Sequence, residues 1–203
     1  MAVQVRDNLV FDAPERPFAI HLPFKLSDDE LLELSALNPD VRLELSAQGD
    51  LIVMPPAGGG TGDRNAEITM QLRQWSKKDG TGKSFDSSTG FYLPNGALRS
   101  PDAAWVSNKQ LSRLTPVQLE KYLPLCPEFV IELLSPSDSL AVAQRKMREY
   151  IENGAKLGWL IDLGERNVHI YTSEGVEEPE SPQTLKGDPI LVGFTLDLNE
   201  IWY

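Results

Sequence analysis

The stretch that decides the fold runs from Pro127 to Asp162 and reads "PEFVIELLSPSDSLAVAQRKMREYIENGAKLGWLID". It contains two short apolar runs, "EFVIELL" and "LGWLID", which are typical of strands covered on both faces. The segment between them has the apolar spacing of an amphipathic helix, with a start at Ser137 or Asp138 and an end at Asn153–Gly154. This order of strand, helix and strand predicts a parallel crossover and an α/β fold of the mixed α+β kind.

Segments on either side predict further elements of one mixed sheet flanked by helices. "SDDELLELSAL" predicts a helix with a capping box from Ser27 to Glu30, and "VRLELSAQGDLIVMPP" predicts two strands joined by a turn at 48–50. "AGGGTGDRN" predicts a flexible connector that precedes an amphipathic helix of roughly four turns in "DRNAEITMQLRQWSKK". "GFYLP" and "DAAWV" predict strands, and "NVHIYT" predicts a hairpin with "LGWLID". We expect a single domain over residues 1–203.

Composition excludes several classes of protein. The 203 residues include one cysteine, Cys126, and two histidines, so the sequence predicts no internal disulfide and no Cys/His metal cluster. No apolar run is long enough to cross a bilayer, and the opening "MAVQVRDNLV" lacks the basic-then-apolar pattern of a secretory signal. We therefore expect a cytoplasmic protein with no membrane partner.

The charge distribution bears on nucleic acid as a partner. A net charge of −11 argues against a protein that coats nucleic acid without specificity. The middle third differs, because residues 64–121 hold nine basic and five acidic residues, a net of +4. A basic patch that faces a polyanion could be built from Arg64, Arg73, Lys77, Lys78, Lys83 and Arg99.

Glu132 interrupts the apolar run "EFVIELL". Strand alternation puts Glu132 on one face with Val130 and Leu134, and it puts Phe129, Ile131 and Leu133 on the other. An ionised carboxylate buried there without a partner would cost several kcal/mol. Glu132 must therefore be paired with a basic side chain, be protonated, or coordinate a cation.

Asp102 and Lys146 are the candidate partners of Glu132. Asp102 follows Pro101 and opens the predicted strand "DAAWV", at a strand end from which a side chain can reach a cleft. Lys146 lies at the rim of the apolar stripe of its helix, about 40° outside Tyr150. It could extend its ammonium toward Glu132, or it could be a surface lysine with an apolar stem.

Two carboxylates and a lysine suit phosphodiester hydrolysis that depends on Mg²⁺ or Mn²⁺. Mg²⁺ is usually held by one or two protein carboxylates plus substrate phosphate oxygens, and it lowers the pKa of a bound water. A nearby ammonium can orient that water or stabilise charge that develops on the phosphate. Asp102 and Glu132 would be the metal ligands, with Lys146 beside them. Glu67 is a further candidate ligand or water-positioning residue, or an exposed helical glutamate beside Arg64 and Gln71.

"SPDAAWV", "PEFVIELLSPSDS" and "KMREYIENGAKLGWLID", in this order, resemble the Uma-two family of bacterial endonucleases, formerly a domain of unknown function. This family belongs to the PD-(D/E)XK restriction-endonuclease-like superfamily, and "RLELSAQGDLIVMPP" is similar to its N-terminal strand pair. The resemblance covers most of residues 28–203. It implies an αβββαβ core, with Asp102 as the motif aspartate and Glu132 as the motif (D/E).

The chain departs from the superfamily pattern at two places. The lysine two residues after the acidic motif residue would fall on Leu134, and Lys146 on the next helix is the expected substitute. The loop "AGGGTGDRN" also lacks a histidine often seen in the family.

Three functions remain open at this stage. The first is a metal-dependent nuclease that acts on nucleic acid, with DNA the favoured substrate; homodimerisation, common among nucleases that cut both strands, stays open. The second is a non-catalytic protein-interaction or assembly module, in which Glu132 is locked in an ion pair with Lys146 and no cleft is open. The third, glycoside hydrolysis by an acidic pair, ranks last, because a strand interior is a poor place for a sugar-sized cleft.

Overall fold

The computed structural model describes residues 9–135 and 138–203. Residues 1–8, most of the opening stretch, and Ser137, one of the two expected helix starts, lie outside the described residues. Helices in the described part are α1 (Asp28–Leu37), α2 (Gly59–Asp79), α3 (Asn108–Leu111), α4 (Pro116–Leu119) and α5 (Leu140–Glu152). None of these helices combines the length and the apolar character that a membrane span requires.

The strands form two larger sheets and a small pair. They are β1 (Phe18–Ile20), β2 (Arg42–Leu45), β3 (Leu51–Met54), β4 (Gly82–Asp86), β5 (Phe91–Tyr92), β6 (Leu98–Arg99), β7 (Ala103–Ser107), β8 (Phe129–Leu134), β9 (Leu157–Asp162), β10 (Asn167–Thr172), β11 (Gly175–Glu177), β12 (Thr184–Lys186) and β13 (Thr195–Asp197). The N-terminal sheet has the order β1-β3-β2-β6-β5, and the central sheet has the order β11-β10-β9-β8-β7-β4. Strands β12 and β13 pair with each other.

The central unit α2–β4–β7–β8–α5–β9 confirms the predicted αβββαβ core. Strands β8 and β9 are parallel and joined by α5, as predicted, whereas β4, β7 and β8 pair antiparallel. The sheet is therefore mixed. Strand β4 was not predicted, because "GKSFD" carries one apolar residue and shows no alternation. It can tolerate this composition because it lies at the edge of the sheet.

The two faces of β8 bury different cores, as strand alternation predicted. Phe129, Ile131 and Leu133 pack in one core with α2 and the C-terminal segment. Val130 and Leu134 pack in the other, together with Met147 and Tyr150 of α5. Glu132 alternates with this second set, so its side chain lies on the face that α5 covers.

The N-terminal sheet packs one of its faces on α1. The capping box from Ser27 to Glu30 is present at the start of this helix, as predicted. Leu43 and Leu45 of β2 lie in the same core as the α1 leucines Leu31 and Leu34. The residues that alternate with them in β2 therefore project from the opposite face of this sheet.

The glycine-rich segment "AGGGTGDRN" is not a connector, and this prediction was wrong. Helix α2 begins at Gly59, with Gly58 as an N-cap that makes no side-chain hydrogen bond. Glycine disfavours helix, so the cause is tertiary. Arg64 donates from Nε to the carbonyl of Ile201 at 2.9 Å and from Nη2 to that of Tyr203 at 2.6 Å. Its guanidinium also lies over the Tyr203 ring, so the C-terminal segment holds the first turns of the helix.

Helix α5 begins slightly later than expected. Its N-cap is Ser139 and its first residue is Leu140, so Asp138 precedes the helix. The Asp138 carboxylate instead accepts hydrogen bonds from the backbone and side chain of Ser135. The far end agrees with the prediction, since Asn153 is the C-cap.

Replacing Gly82 by alanine should lower the free energy of unfolding by about 1–3 kcal/mol or more, because a Cβ there would overlap backbone. That atom would lie 2.4 Å from the Val106 carbonyl oxygen and 2.5 Å from the Trp105 ring. Gly62 in α2 is the matched control, since a Cβ there meets nothing within 4 Å. Gly62→Ala should stabilise by about 0.5–1 kcal/mol, because alanine favours helix. Urea unfolding measures both, and effects of the same sign would contradict the close approach of Gly82 in β4 to Trp105 and Val106 in β7.

Candidate active site

Asp102 comes directly before β7, and its carboxylate lies near Glu132 of the neighbouring strand β8. In the β7–β8 pairing, Ala104 faces Val130 and Ala103 faces Ile131. Continuing this register by one residue would place Asp102 opposite Glu132. Asp102 is 8% exposed, and its Oδ2 accepts a hydrogen bond of 2.9 Å from the backbone N–H of Leu133. Side chains opposite each other in an antiparallel pair are close neighbours on one face.

Lys146 reaches this pair from α5. Its Nζ lies 2.8 Å from Oε1 of Glu132, and the Tyr150 hydroxyl donates to the same oxygen at 2.9 Å. Burial raises the pKa of Glu132 to about 7, and the nearby charges of Asp102 and Glu44 add to this while Lys146 opposes it. Burial alone would lower the pKa of Lys146, but Glu132 and Glu44 outweigh that and raise it. Lys146 is therefore an ammonium at neutral pH.

Glu44 of β2 is a site residue that the sequence analysis missed. It is 2% exposed, and its Oε1 lies 2.9 Å from Lys146 Nζ. Arg99 lies 3.1 Å from its Oε2, and the backbone N–H of Ser100 donates to its Oε1. Burial would raise the pKa of Glu44, but Lys146 and Arg99 outweigh it and lower that pKa to about 2. In the predicted strand "RLEL", Glu44 lies between two leucines. The same pattern, an acidic residue inside an apolar strand, identified Glu132 as a candidate.

Two members of the expected basic patch are engaged elsewhere. Arg99 is 9% exposed and is held between Glu44 and Glu149, so it does not belong to a surface patch. Arg64 is bound to the carbonyls of the C-terminal segment. The other four, Arg73, Lys77, Lys78 and Lys83, are exposed on the second half of α2 and on β4. Lys83 pairs with Val106, toward the end of β7 that lies away from Asp102.

Helix α2 contacts Asp102 through Asn65. The Asn65 side chain donates from Nδ2 to Asp102 Oδ1 at 3.1 Å. Glu67, the residue expected from this helix, instead accepts a hydrogen bond of 2.9 Å from Gln71. Arg42 of β2 also lies near Asp102, with 3.7 Å between its Nη1 and Oδ1. The contacts described for Glu67 thus do not include Asp102 or Glu132.

The chemistry of Asp102 and Glu132 fits a hard divalent cation. Both offer carboxylate oxygens, and in the described residues every hydrogen bond and ion pair of Glu132 uses Oε1. Oε2 therefore keeps its acceptor capacity. No group of three or more His, Cys, Asp or Glu side chains in residues 9–135 and 138–203 is arranged to hold a metal. A two-carboxylate site is what Mg²⁺ commonly uses when phosphate oxygens and water complete its octahedron.

The raised pKa of Glu132 predicts an unusual dependence of stability on pH in metal-free protein. Between pH 4.5, the ordinary pKa, and about 7, the folded state holds a proton on Glu132 that the unfolded state releases. The free energy of unfolding therefore falls as pH rises through this window, by on the order of 3 kcal/mol from this group. Glu132→Gln lacks the titration and should gain stability relative to wild type over the same window. Urea unfolding in a chelating buffer measures this difference, and parallel curves would contradict it.

Comparisons with known proteins agree with this architecture. The profile of the Uma2 family, described as "Putative restriction endonuclease", matches residues 28–199. A crystal structure of "a putative nuclease belonging to DUF820 from Anabaena variabilis ATCC 29413" superposes with a TM-score of 0.69 at 19% identity. The alignment covers 87% of this chain and 97% of that one, and at this identity it shows a shared fold. No curated protein matches the chain.

The resemblance of the three quoted segments to the Uma-two family is thereby confirmed over most of the sequence. The matched region begins at α1 and includes β2, β3, β5 and β6 of the N-terminal sheet and the whole αβββαβ core, so it contains every residue of the candidate site. The chain belongs to the Uma2 family of restriction-endonuclease-like proteins.

Proposed function

We propose that the protein is a metal-dependent nuclease that hydrolyses phosphodiester bonds of nucleic acid, with DNA as its substrate. The observation that carries this proposal is that the Asp102 carboxylate binds the N–H of Leu133, the residue next to Glu132, while the Lys146 ammonium lies 2.8 Å from Glu132. Membership of a family of the restriction-endonuclease type supports it independently. We place its activity in the cytoplasm, in keeping with a chain that has one buried cysteine.

In this proposal Asp102 and Glu132 would hold Mg²⁺ or Mn²⁺, and the bound cation would supply an acidified water and neutralise charge on the phosphate. Asn65 and the Leu133 N–H fix the Asp102 carboxylate through its two oxygens. Lys146 and Tyr150 fix Glu132 through Oε1. Because Lys146 is an ammonium, its role is electrostatic stabilisation of the charge that develops on the phosphate oxygens, not proton abstraction.

A non-catalytic interaction module is the second candidate, and one observation favours it. Glu132 and Lys146 form an ion pair whose side chains are only 13% and 17% exposed. A module without catalytic activity would keep this pair closed and would not expose Glu132 to a cation. The two functions differ in whether a divalent cation can engage Glu132.

Cation binding and cleavage together test the proposal. Mn²⁺ should bind at one site, and calorimetry near pH 7 in buffers of different ionisation enthalpy should detect proton release, because Glu132 must lose its proton to bind the cation. Single- and double-stranded DNA and RNA should be incubated with Mg²⁺ or Mn²⁺. We expect cleavage of DNA that a chelator abolishes.

The variant Glu132→Gln is the matched control for the calorimetry, and it should release no proton. Absence of binding at millimolar Mn²⁺, together with uncleaved substrates, would favour the interaction module. Cleavage of RNA but not of DNA would support the nuclease activity and would show that RNA, not DNA, is the substrate. Sedimentation of the same samples determines whether the nuclease acts as a homodimer.

A further inference from the structure

Lys146 is held by two carboxylates that belong to different sheets. Its Nζ lies 2.8 Å from Glu132 in the central sheet and 2.9 Å from Glu44 in the N-terminal sheet. Under the proposed function Glu132 is shared with a cation, and its charge is then no longer available to Lys146 alone. Something other than Glu132 must keep the ammonium at the reaction centre.

The carboxylate of Glu44 is held in one position by its neighbours. Its side chain is 3% exposed, and its two oxygens are occupied by Lys146, Ser100 and Arg99. Arg99 is in turn fixed by Glu149 at 2.6 Å. A carboxylate held by hydrogen bonds to both oxygens cannot rotate freely, so it can define the place of the ammonium that it binds.

The geometry points to Glu44 as a positioning residue: strand β2 of the N-terminal sheet holds Lys146 in place when a divalent cation occupies Glu132. This inference rests on the proposed function for its catalytic consequence, whereas the placement of Lys146 by Glu44 does not depend on it. The N-terminal sheet is then part of the nuclease site, and the site is complete only when both sheets are packed together.

The ammonium signal of Lys146 in ¹⁵N NMR of the metal-free protein tests the placement directly. A buried, hydrogen-bonded ammonium exchanges its protons with water slowly and gives an observable signal, which Lys146→Arg identifies by its loss. The signal should persist in Glu132→Gln and disappear in Glu44→Gln. Its retention in Glu44→Gln, or its loss in Glu132→Gln, overturns the inference. If Glu44→Gln does not fold, the spectrum of Glu132→Gln is the test. Persistence of the Lys146 signal in that variant supports the inference, and its loss overturns it.

Kinetics test the catalytic consequence. In Glu44→Gln, kcat should fall by about 10- to 100-fold, as expected for a misplaced catalytic group, while the affinity for Mn²⁺ stays within about twofold. Glu128→Gln is the matched control, because Glu128 is also a buried carboxylate but accepts its hydrogen bonds from the backbone and side chain of Ser107, at the end of β7 that lies away from Asp102. Its kcat should change by less than about threefold. Equal losses of kcat in the two variants would overturn the positioning role. A wild-type protein without nuclease activity would refute the proposed function, but the NMR test of the Glu44–Lys146 contact would still hold.

Discussion

Replacing Asp102 by asparagine should lower the rate of metal-dependent cleavage by about 1,000-fold or more, because a metal ligand contributes several kcal/mol to transition-state stabilisation. The change removes one charge and keeps the size of the side chain. An amide oxygen can still accept the hydrogen bond from the Leu133 N–H, so the variant should fold. The measurement is kcat with Mn²⁺, together with calorimetric affinity for the cation, which should fall in parallel.

Asp162→Asn is the matched control for this prediction. Asp162 is a buried aspartate at the end of β9, and its Oδ1 accepts from the backbone of Gly164 and Glu165. Asparagine preserves that acceptor, so cleavage should stay close to the wild-type rate. Activity that survives in Asp102→Asn would assign the cleavage to another site or to a contaminating enzyme.

Replacing Arg99 by methionine should lower the free energy of unfolding by about 3–5 kcal/mol, the usual cost of removing one partner of a buried ion pair. Arg99 is 9% exposed and neutralises Glu44, which is 2% exposed, and Glu149. Burial would lower the pKa of Arg99, but these carboxylates outweigh it and raise that pKa. Methionine keeps the apolar volume and leaves Glu44 with Lys146 as its single ionic partner among the described residues.

Lys121→Met provides the comparison, because Lys121 pairs with Asp29 on the surface, where both side chains are well exposed. Loss of this surface pair should lower the free energy of unfolding by less than about 1 kcal/mol.

The destabilisation caused by Arg99→Met should also become smaller in acid. The low pKa of Glu44 gives stability that is present above pH 4.5 and is lost as pH falls toward 2. A loss of less than 1 kcal/mol at neutral pH would mean that Glu44 and Glu149 find other partners without Arg99.

Much of the candidate site followed from local patterns. Strand alternation put Glu132 on the same face of β8 as Val130 and Leu134, and in the structure α5 covers that face. Helical spacing put Lys146 at the rim of the apolar stripe of α5. The structure brings Lys146 and Glu132 into contact. Asp102 was singled out at the start of a predicted strand, and in the structure its carboxylate binds the N–H of Leu133, the residue next to Glu132. The catalytic roles of these three residues, and of Glu67, stay predictions until the variants are measured.

Local patterns failed where contacts between distant segments decided the outcome. The glycines before Arg64 have low helix propensity, yet α2 begins among them because the C-terminal carbonyls bind the Arg64 guanidinium. Arg99 was assigned to a surface patch because a basic residue is usually exposed, but the carboxylates of buried Glu44 and partly buried Glu149 hold it inside. In each case the partner lies 50 or more residues away in the sequence.

The sequence by itself determined the strand–helix–strand unit, the faces of its strands and the face of β8 on which Glu132 lies, because hydrophobic periodicity is a property of neighbouring residues. The tertiary structure alone decided that Glu44 joins Lys146. β6 and Ser100 connect the N-terminal sheet to β7, and the Ser100 N–H binds Glu44, so this carboxylate of β2 comes within reach of Lys146 on α5. The attraction between two buried charges depends on their distance in space, which no local pattern of residues specifies.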